Sequence, residues 1–478
     1  MRVMFRHSLM VFLGSVLLFS GCTLSPKYQR PSPELPPDWN AGIPSPTQAG
    51  AKLQDWRQVV IDVPLQRLIE LALANNRDLR VAALRIEKAK AQHDIRRADL
   101  LPKIDATASA NMQRTPAELS ATGFATTTRV YNVGLGVSTF ELDFFGRVRS
   151  LKEQALEEFL ATEAAHRSFE LSLVAEVGAT YLNLVADREH LLLAHEILAT
   201  EQASYKIIKD QFELGIAHEL DLRRAQTTVD TARNSVAQYK GQVTEDENLL
   251  SQLVGMPLAP DLLPAQNLEQ MAPMAQVPSG LPSEVLARRP DILAAEHQLK
   301  AANANIGAAR AMHFPIISLT GAYGTASNAV NGLFKPGSYT WTFLPQISLP
   351  IFHGGAISAG VRVAETERDI MVAQYEKAVQ TAFREVSNCL AQGDTLASQI
   401  EAQTSLTQAT KISYELATLR YDTGVDGFLS KLDAQRANAS ALQNLIGVRM
   451  GRQANLLTLY KVLGGGWNEE TPEESKLQ

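Results

Sequence analysis

The sequence predicts a mainly α protein that also carries four membrane-crossing β-strands, built from one structural unit copied in tandem. Three observations lead there. Two long stretches repeat each other at a nearly constant offset, each copy holds some 65 residues without proline, and each copy holds two segments of alternating apolar and polar residues.

The chain opens with Arg2, Arg6 and His7, followed by apolar or small residues from Leu9 to Ser20. This run of about 12 residues is too short for a bilayer span of roughly 20. A basic start, a short apolar core and small residues behind it read as a secretory signal, residues 1–21. The stretch "LLFSGCTLS" then holds Cys22, one of two cysteines in 478 residues. Three readings are open: half of a disulfide with Cys389, an incidental cysteine behind an ordinary signal, or an attachment site. A disulfide is disfavoured because Cys389 lies deep in a helical pattern, and one bridge is a poor framework for this length. Leu18-Phe19-Ser20-Gly21-Cys22 resembles the lipobox of bacterial lipoproteins, which implies that Cys22 is the mature N-terminus and carries several acyl chains. One chain anchors only marginally, whereas several hold stably. Thr23 stands where an Asp in enteric bacteria often retains lipoproteins at the inner membrane, so the resemblance also implies sorting to the outer membrane.

Lys and Arg number 45 against 51 Asp and Glu, a net charge of −6 without long charge blocks. That excludes the basic field a nucleic-acid partner requires. No later stretch offers 18 consecutive apolar residues, so a membrane crossing by the mature chain calls for strands of a closed barrel. Residues 22–60 are punctuated by Pro26, Pro31, Pro33, Pro36, Pro37, Pro44 and Pro46 and read as an extended tether.

The rest is duplicated. Asp78, Ala89, Ala98 and Pro102 align with Asp291, Ala302, Ala311 and Pro315, all at 291 − 78 = 213. Gly215 and Ala225-Gln226 align with Gly424 and Ala434-Gln435, at 424 − 215 = 209. The copies span 61–270 and 271–465, with a tail at 466–478. Each reads as helix, two strands, very long helix, glycine turn and return helix.

In the first copy Leu65–Leu101 has helical spacing and stops before Pro102. Ile104–Gln113 alternates as a strand with one wet face, and its partner is Val130–Phe144. Ile316–Thr325 and Tyr339–Phe352 fill those places in the second copy. Glycines in "FFGR" and "FHGG" fall where strand becomes helix and permit a sharp change of direction. Strands this long suit an outer membrane, where a span needs roughly 9 to 11 residues. Four cannot close a barrel, and an open edge in lipid is prohibitive, so other copies must complete the ring. Counting alone permits two, three or four chains.

Arg149–Leu214 and Ile357–Asp422 are the proline-free runs, each roughly 100 Å long as a helix. Turns at Gly215 and Gly424 lead into return helices of about 35 residues. Stripes such as Leu173, Val177, Tyr181, Leu184 and Val185 pack neighbouring helices. No single heptad seam with charged flanks runs through them, so antiparallel hairpins fit better than a dimeric coiled coil.

At this point the chain resembles the outer membrane efflux proteins, in the lipoprotein branch of the TolC and OprM type. The residues that carry the likeness are "CTLSPKYQRP", "NNRDLR" at Asn75, "FELDFFGRVRS" at Phe140, "LARRPDILAAE" at Leu286, "LPIFHGG" at Leu349 and "YDTGVDGFLSKLDAQRANASA" at Tyr421. The resemblance implies a homotrimer with a twelve-strand β-barrel in the outer membrane and a twelve-helix periplasmic α-barrel. It implies a periplasmic adaptor and an inner-membrane pump of the resistance-nodulation-division type as partners, and passive efflux of small molecules as the function. It also implies a periplasmic gate at Leu429 and Asp433, which stand four apart on one helical face. Threefold symmetry would make of them an apolar ring and an acidic ring. Asp221, Arg224, Tyr421, Asp426 and Arg436 are the expected supports of the closed turns.

The residues agree with a duct that performs no bond chemistry. No phosphate loop, HExxH or CxxC is present, no cofactor or metal site is expected, and nine scattered histidines, His353 among them, read as structural. Two rivals stand beside efflux. An exit duct for type I protein secretion shares the architecture, and a non-conducting lipoprotein that bridges the periplasm predicts no strands.

Overall fold

The computed structural model describes residues 23–32, 55–121, 123–264, 267–269, 271, 274, 286 and 288–465. The signal segment 1–21, Cys22, residues 33–54 of the tether and the tail 466–478 lie outside the described residues. The elements in chain order begin with helices α1 (Trp56–Val59), α2 (Val63–Asn75) and α3 (Arg77–Ala98), then strands β1 (Ile104–Thr115) and β2 (Thr126–Leu142). Helices α4 (Arg147–Glu213, 67 residues) and α5 (Glu219–Val254, 36 residues) follow. The same order returns in α6 (Pro290–Ala311), β3 (Ile316–Ser327), β4 (Tyr339–Ser348), α7 (Ala356–Asp422, 67 residues) and α8 (Phe428–Val462, 35 residues).

Several boundaries differ from the sequence expectation by a few residues, β2 for instance starting at Thr126, and three of the differences have a local cause. Leu65–Leu101 is two helices, broken at Asn76, whose Oδ1 accepts from the Leu79 amide at 2.8 Å while its Nδ2 donates to the Leu253 carbonyl at 2.8 Å. The side chain thereby caps α3 and competes with a continuous helical ladder. Strand β2 stops at Leu142 because Asp143 turns to cap α4, accepting from the Val148 and Arg149 amides at 3.2 and 2.9 Å. Strand β4 stops at Ser348 because its partner β3 begins at Ile316, directly opposite. Gly146, with φ +75°, and Gly355, with φ +84°, make the turns into α4 and α7.

The described chain divides into two compact units. One contains the sheet, in which the four strands pair antiparallel in the order β1-β2-β3-β4. Pairing sets Ala106, Leu135, Tyr323 and Trp341 in one row, with Ile104, Val137, Gly321 and Phe343 beside it. The opposite face carries Thr107, Gly134, Gly324 and Thr340 in one row and Asp105, Gly136, Ala322 and Thr342 in the next. One face is therefore apolar and the other small and polar. Leu135, Tyr323, Trp341 and Phe343 are all more than half exposed in the single chain, an apolar band too large for an ordinary solvent surface. The outer edges of β1 and β4 have no partner within the sheet.

The other unit holds the main core. Leu65, Leu68 and Ile69 of α2 pack with Leu173, Val177, Tyr181, Leu184 and Val185 of α4, Leu250 and Val254 of α5 and Leu457 and Tyr460 of α8. Each fully buried aliphatic side chain contributes roughly 1.5–3 kcal/mol. Gly178 lets α4 meet α8, because a Cβ there would run into Leu457. Tyr181 donates to Asp62 at 3.1 Å, and Asp62 also caps α2 at the Leu65 amide. Trp56, Val59 and Val60 are buried here too, so the last residues of the segment read as tether join the core. Helix α4 is long and apolar enough in one 18-residue window to cross a membrane, but 56% of that window is buried inside the protein. It is a core helix by packing.

Candidate functional site

The hairpin turns at the ends of α4 and α7 gather the residues singled out for function. In the first, Gly215 has φ +75°, its amide donates to Phe212, and the Ile216 amide reaches back to the Gln211 carbonyl at 2.8 Å. In the second, Gly424 has φ +73°, its amide donates to Tyr421, and the Val425 amide reaches back to the Arg420 carbonyl at 2.9 Å. These bonds satisfy helix-end carbonyls that otherwise lack partners. A Cβ at either glycine would meet nothing, so it is the left-handed backbone that favours glycine there.

Within the second turn Arg420 Nε and Nη2 donate to the two Asp426 carboxylate oxygens at 2.6 and 2.9 Å. The hydrogen bond from Arg420 holds the Asp426 carboxyl below the usual carboxylate range. Sequence reading named Asp426 and missed Arg420. The available signal was a basic residue in the last helical turn, where it also favours the negative end of the helix dipole, followed by an acid just past the glycine.

Tyr421 ties the two hairpins together. Its hydroxyl hydrogen-bonds Gln211 of α4, its ring lies edge-on to Phe428 at 5.9 Å, and Lys431 Nζ stands 5.0 Å from the ring centroid. Beneath it Ile208, Ala225, Phe428 and Leu432 form a buried apolar cluster that joins α4, α5 and α8. A cavity of about 350 Å³ opens beside these groups, lined by Gln211, Tyr421, Asp426, Phe428 and Lys431.

The other expected supports sort differently. Asp221 and Arg224 pair with each other along α5 at 3.7 Å and do not bridge to the second hairpin. Arg436 lies on α8 beside a cavity of about 240 Å³ that the buried Glu201 also lines. Burial pushes the Glu201 carboxyl up, while a hydrogen bond from Thr228 and the charges of Arg436 and Lys431 oppose that. Leu429 and Asp433 are both exposed, on the face of α8 turned away from Phe428 and Leu432. Among the described residues Asp433 has no ion-pair partner within the protomer. No three His, Cys, Asp or Glu side chains among the described residues converge as metal ligands.

The sequence matches the family described as outer membrane efflux protein over residues 68–256 and 281–465. The chain belongs to the outer membrane efflux protein family. It is 47% identical over 474 residues to the probable efflux pump outer membrane protein TtgC of Pseudomonas putida, covering 98% of each chain. It is 41% identical to outer membrane protein OprJ of Pseudomonas aeruginosa, covering 95% of each. The open-state structure of the MtrE outer membrane channel of Neisseria gonorrhoeae matches with a TM-score of 0.82 at 38% identity, over 93% of this chain and 98% of that one. Relatives and structural neighbours in this family are outer membrane efflux pump proteins and channels.

Proposed function

We propose that this outer membrane efflux protein is the exit duct of a tripartite pump. It receives drugs and other toxic small molecules from an inner-membrane pump of the resistance-nodulation-division type through a periplasmic adaptor, and conducts them passively across the outer membrane. The observation that carries this reading is the sheet. Its apolar face is exposed, its opposite face is polar and small, and both outer edges lack partners. In lipid every backbone donor and acceptor needs a partner, so the β1 edge of one copy pairs with the β4 edge of the next. Three copies give twelve strands, and α4, α5, α7 and α8 from each give twelve helices. The strands weigh against a non-conducting periplasmic bridge.

The gate belongs at the hairpin turns. Three copies of Leu429 and Asp433 form an apolar and an acidic constriction, and the Arg420–Asp426 pair with the Tyr421 contacts holds each turn in its closed form. Exposed ion pairs are individually weak, so closure rests on many contacts repeated by symmetry, which the adaptor outcompetes on docking. Cys22 carries the lipid that assists sorting and insertion. Planar-bilayer recording on the purified protein, with native mass spectrometry to count chains, tests the duct. Discrete channels from a three-chain assembly are expected, and complete absence of channels sinks the reading.

A further inference from the structure

The residues that follow Cys22 occupy a built groove in the unit that holds the sheet. Ser25 Oγ lies 3.2 Å from Ser150 Oγ on α4 and donates to the Ala304 carbonyl on α6 at 3.3 Å. The Asn303 amide donates to the Pro26 carbonyl at 2.8 Å. Gly307 is the seat, because a Cβ there would collide with Ser25 Oγ and come within 2.6 Å of Ser150 Oγ. Three turns earlier on α6, Glu296 is 3% exposed. Its carboxylate accepts from the Tyr28 hydroxyl at 3.1 Å and from both Nε and Nη2 of Arg30. Lys300 completes the cluster, 3.4 Å from Glu296 and 5.4 Å from the Tyr28 ring centroid. Burial pushes the Glu296 carboxyl up, yet the Arg30 hydrogen bond with the charges of Lys300 and Arg30 outweighs it and holds the group below the usual range. A carboxylate this deep is costly unless paired, and the segment Thr23–Ser32 supplies most of the donors.

We infer that Thr23–Ser32 is a clasp: a preformed groove on α6 binds it through Glu296 and Gly307, and its docking completes the joint between α4 and α6. The clasp therefore locks the long helix of the first repeat to the second repeat. Extended backbone spans at most about 3.6 Å per residue, so Cys22 is tied within about 11 Å of Ser25. Where this rests on the reading of Cys22 as the acylated N-terminus, the clasp also fixes the point from which the acyl chains enter the bilayer, because Ser25 rests against Ser150, eight residues beyond the end of β2 at Leu142.

Trypsin treatment of the assembled full mature chain tests it. The Lys27–Tyr28 bond is the probe, since Lys27 is exposed but cleavage requires its flanking backbone to leave the groove. Slow cleavage is expected for the wild type. A Tyr28→Phe/Arg30→Ala double variant, which leaves α6 untouched, should be cut roughly tenfold faster or more, the factor that loss of charged hydrogen bonds brings to a local opening. Gly307→Ala should do the same by unseating Ser25. Cys22→Ser, exported behind a conventional signal peptide, should stay as protected as the wild type. Equal cleavage in all variants overturns the clasp, and so does loss of protection in Cys22→Ser, which would mean that the lipid holds the segment. Intact mass of the N-terminal peptide reads acylation separately, so an unmodified Cys22 with retained protection removes the lipid reading and leaves the clasp standing.

Discussion

Arg420 and Asp426 face each other across the Gly424 turn, joined through two hydrogen bonds of 2.6 and 2.9 Å. Both lie at the exposed tip, so in the proposed gate the pair acts as one weak latch among several. Asp426→Asn should raise the open fraction of single channels by roughly two- to threefold, read from bilayer traces. The sign of its pH response follows from the lowered carboxyl. The pair's contribution is present above the ordinary carboxylate value and is lost only as pH falls through the still lower folded one. Between about pH 5 and 8 the latch is constant, and a conductance that changes there in the wild type but not in Asp426→Asn contradicts this assignment.

Asp433 has no ion-pair partner among the described residues of its own chain. In the proposed gate it acts on passing ions from a ring made by the three copies. Asp433→Ala should raise conductance roughly twofold or more and weaken cation preference, measured as a shift in reversal potential under a salt gradient. An unchanged current at every voltage argues against an acidic constriction.

Much of this architecture was legible in the sequence, and the misses share a cause. The long helices are proline-free and the strands keep a period of two, so local pattern suffices for them. The break at Asn76 was hidden because helical spacing continues through it, and the carbonyl that holds its side chain belongs to Leu253, 177 residues away. Arg420 escaped because it stands one residue before the motif that drew attention to Tyr421. The Tyr28 and Arg30 contacts were invisible for a similar reason: both residues stand in a segment whose prolines signalled only a tether, and Glu296 lies 266 residues beyond Arg30 on α6.

The sheet offers a test of the barrel. Gly134 and Gly324 are direct cross-strand partners on the polar face, and a Cβ at Gly324 would overlap the Val133 carbonyl and approach the Gly134 Cα. No flexible side chain is there to yield. Gly324→Ala should cost about 1–3 kcal/mol per copy through overpacking. The expected readout is a lower dissociation temperature of the oligomer on semi-native gels, and an unchanged temperature contradicts the close approach.

Cys22→Ser separates anchoring from assembly. In the proposed duct four strands per copy suffice to hold the protein in the bilayer, so the purified variant should still form conducting oligomers while its share in the outer-membrane fraction falls. Fractionation and bilayer recording of the same preparation check both halves. Failure of the purified variant to oligomerise assigns the lipid a part in assembly.

A last prediction concerns Asp187 on α4 and Asp246 on α5, which hydrogen-bond each other across the hairpin. Two carboxylates can do so only while they share a proton. Burial, the neighbouring Asp187 and the hydrogen bond to it raise the Asp246 carboxyl to about 6, and Glu245 adds to the same effect. The adjoining groups bring no relief: His190 stacks on Tyr239 at 4.9 Å, and Arg188 is engaged by Glu247 at 2.7 Å. The folded chain thus holds this proton more tightly than the unfolded chain. Its stabilising contribution is fully present below the ordinary value of 3.8 and is lost as pH rises to about 6. Asp246→Asn keeps a hydrogen-bonding partner for Asp187 without the second charge. The difference in melting temperature between variant and wild type should therefore grow in the variant's favour from about pH 4.5 to pH 7. A difference that stays constant over that window means the two carboxylates do not share a proton.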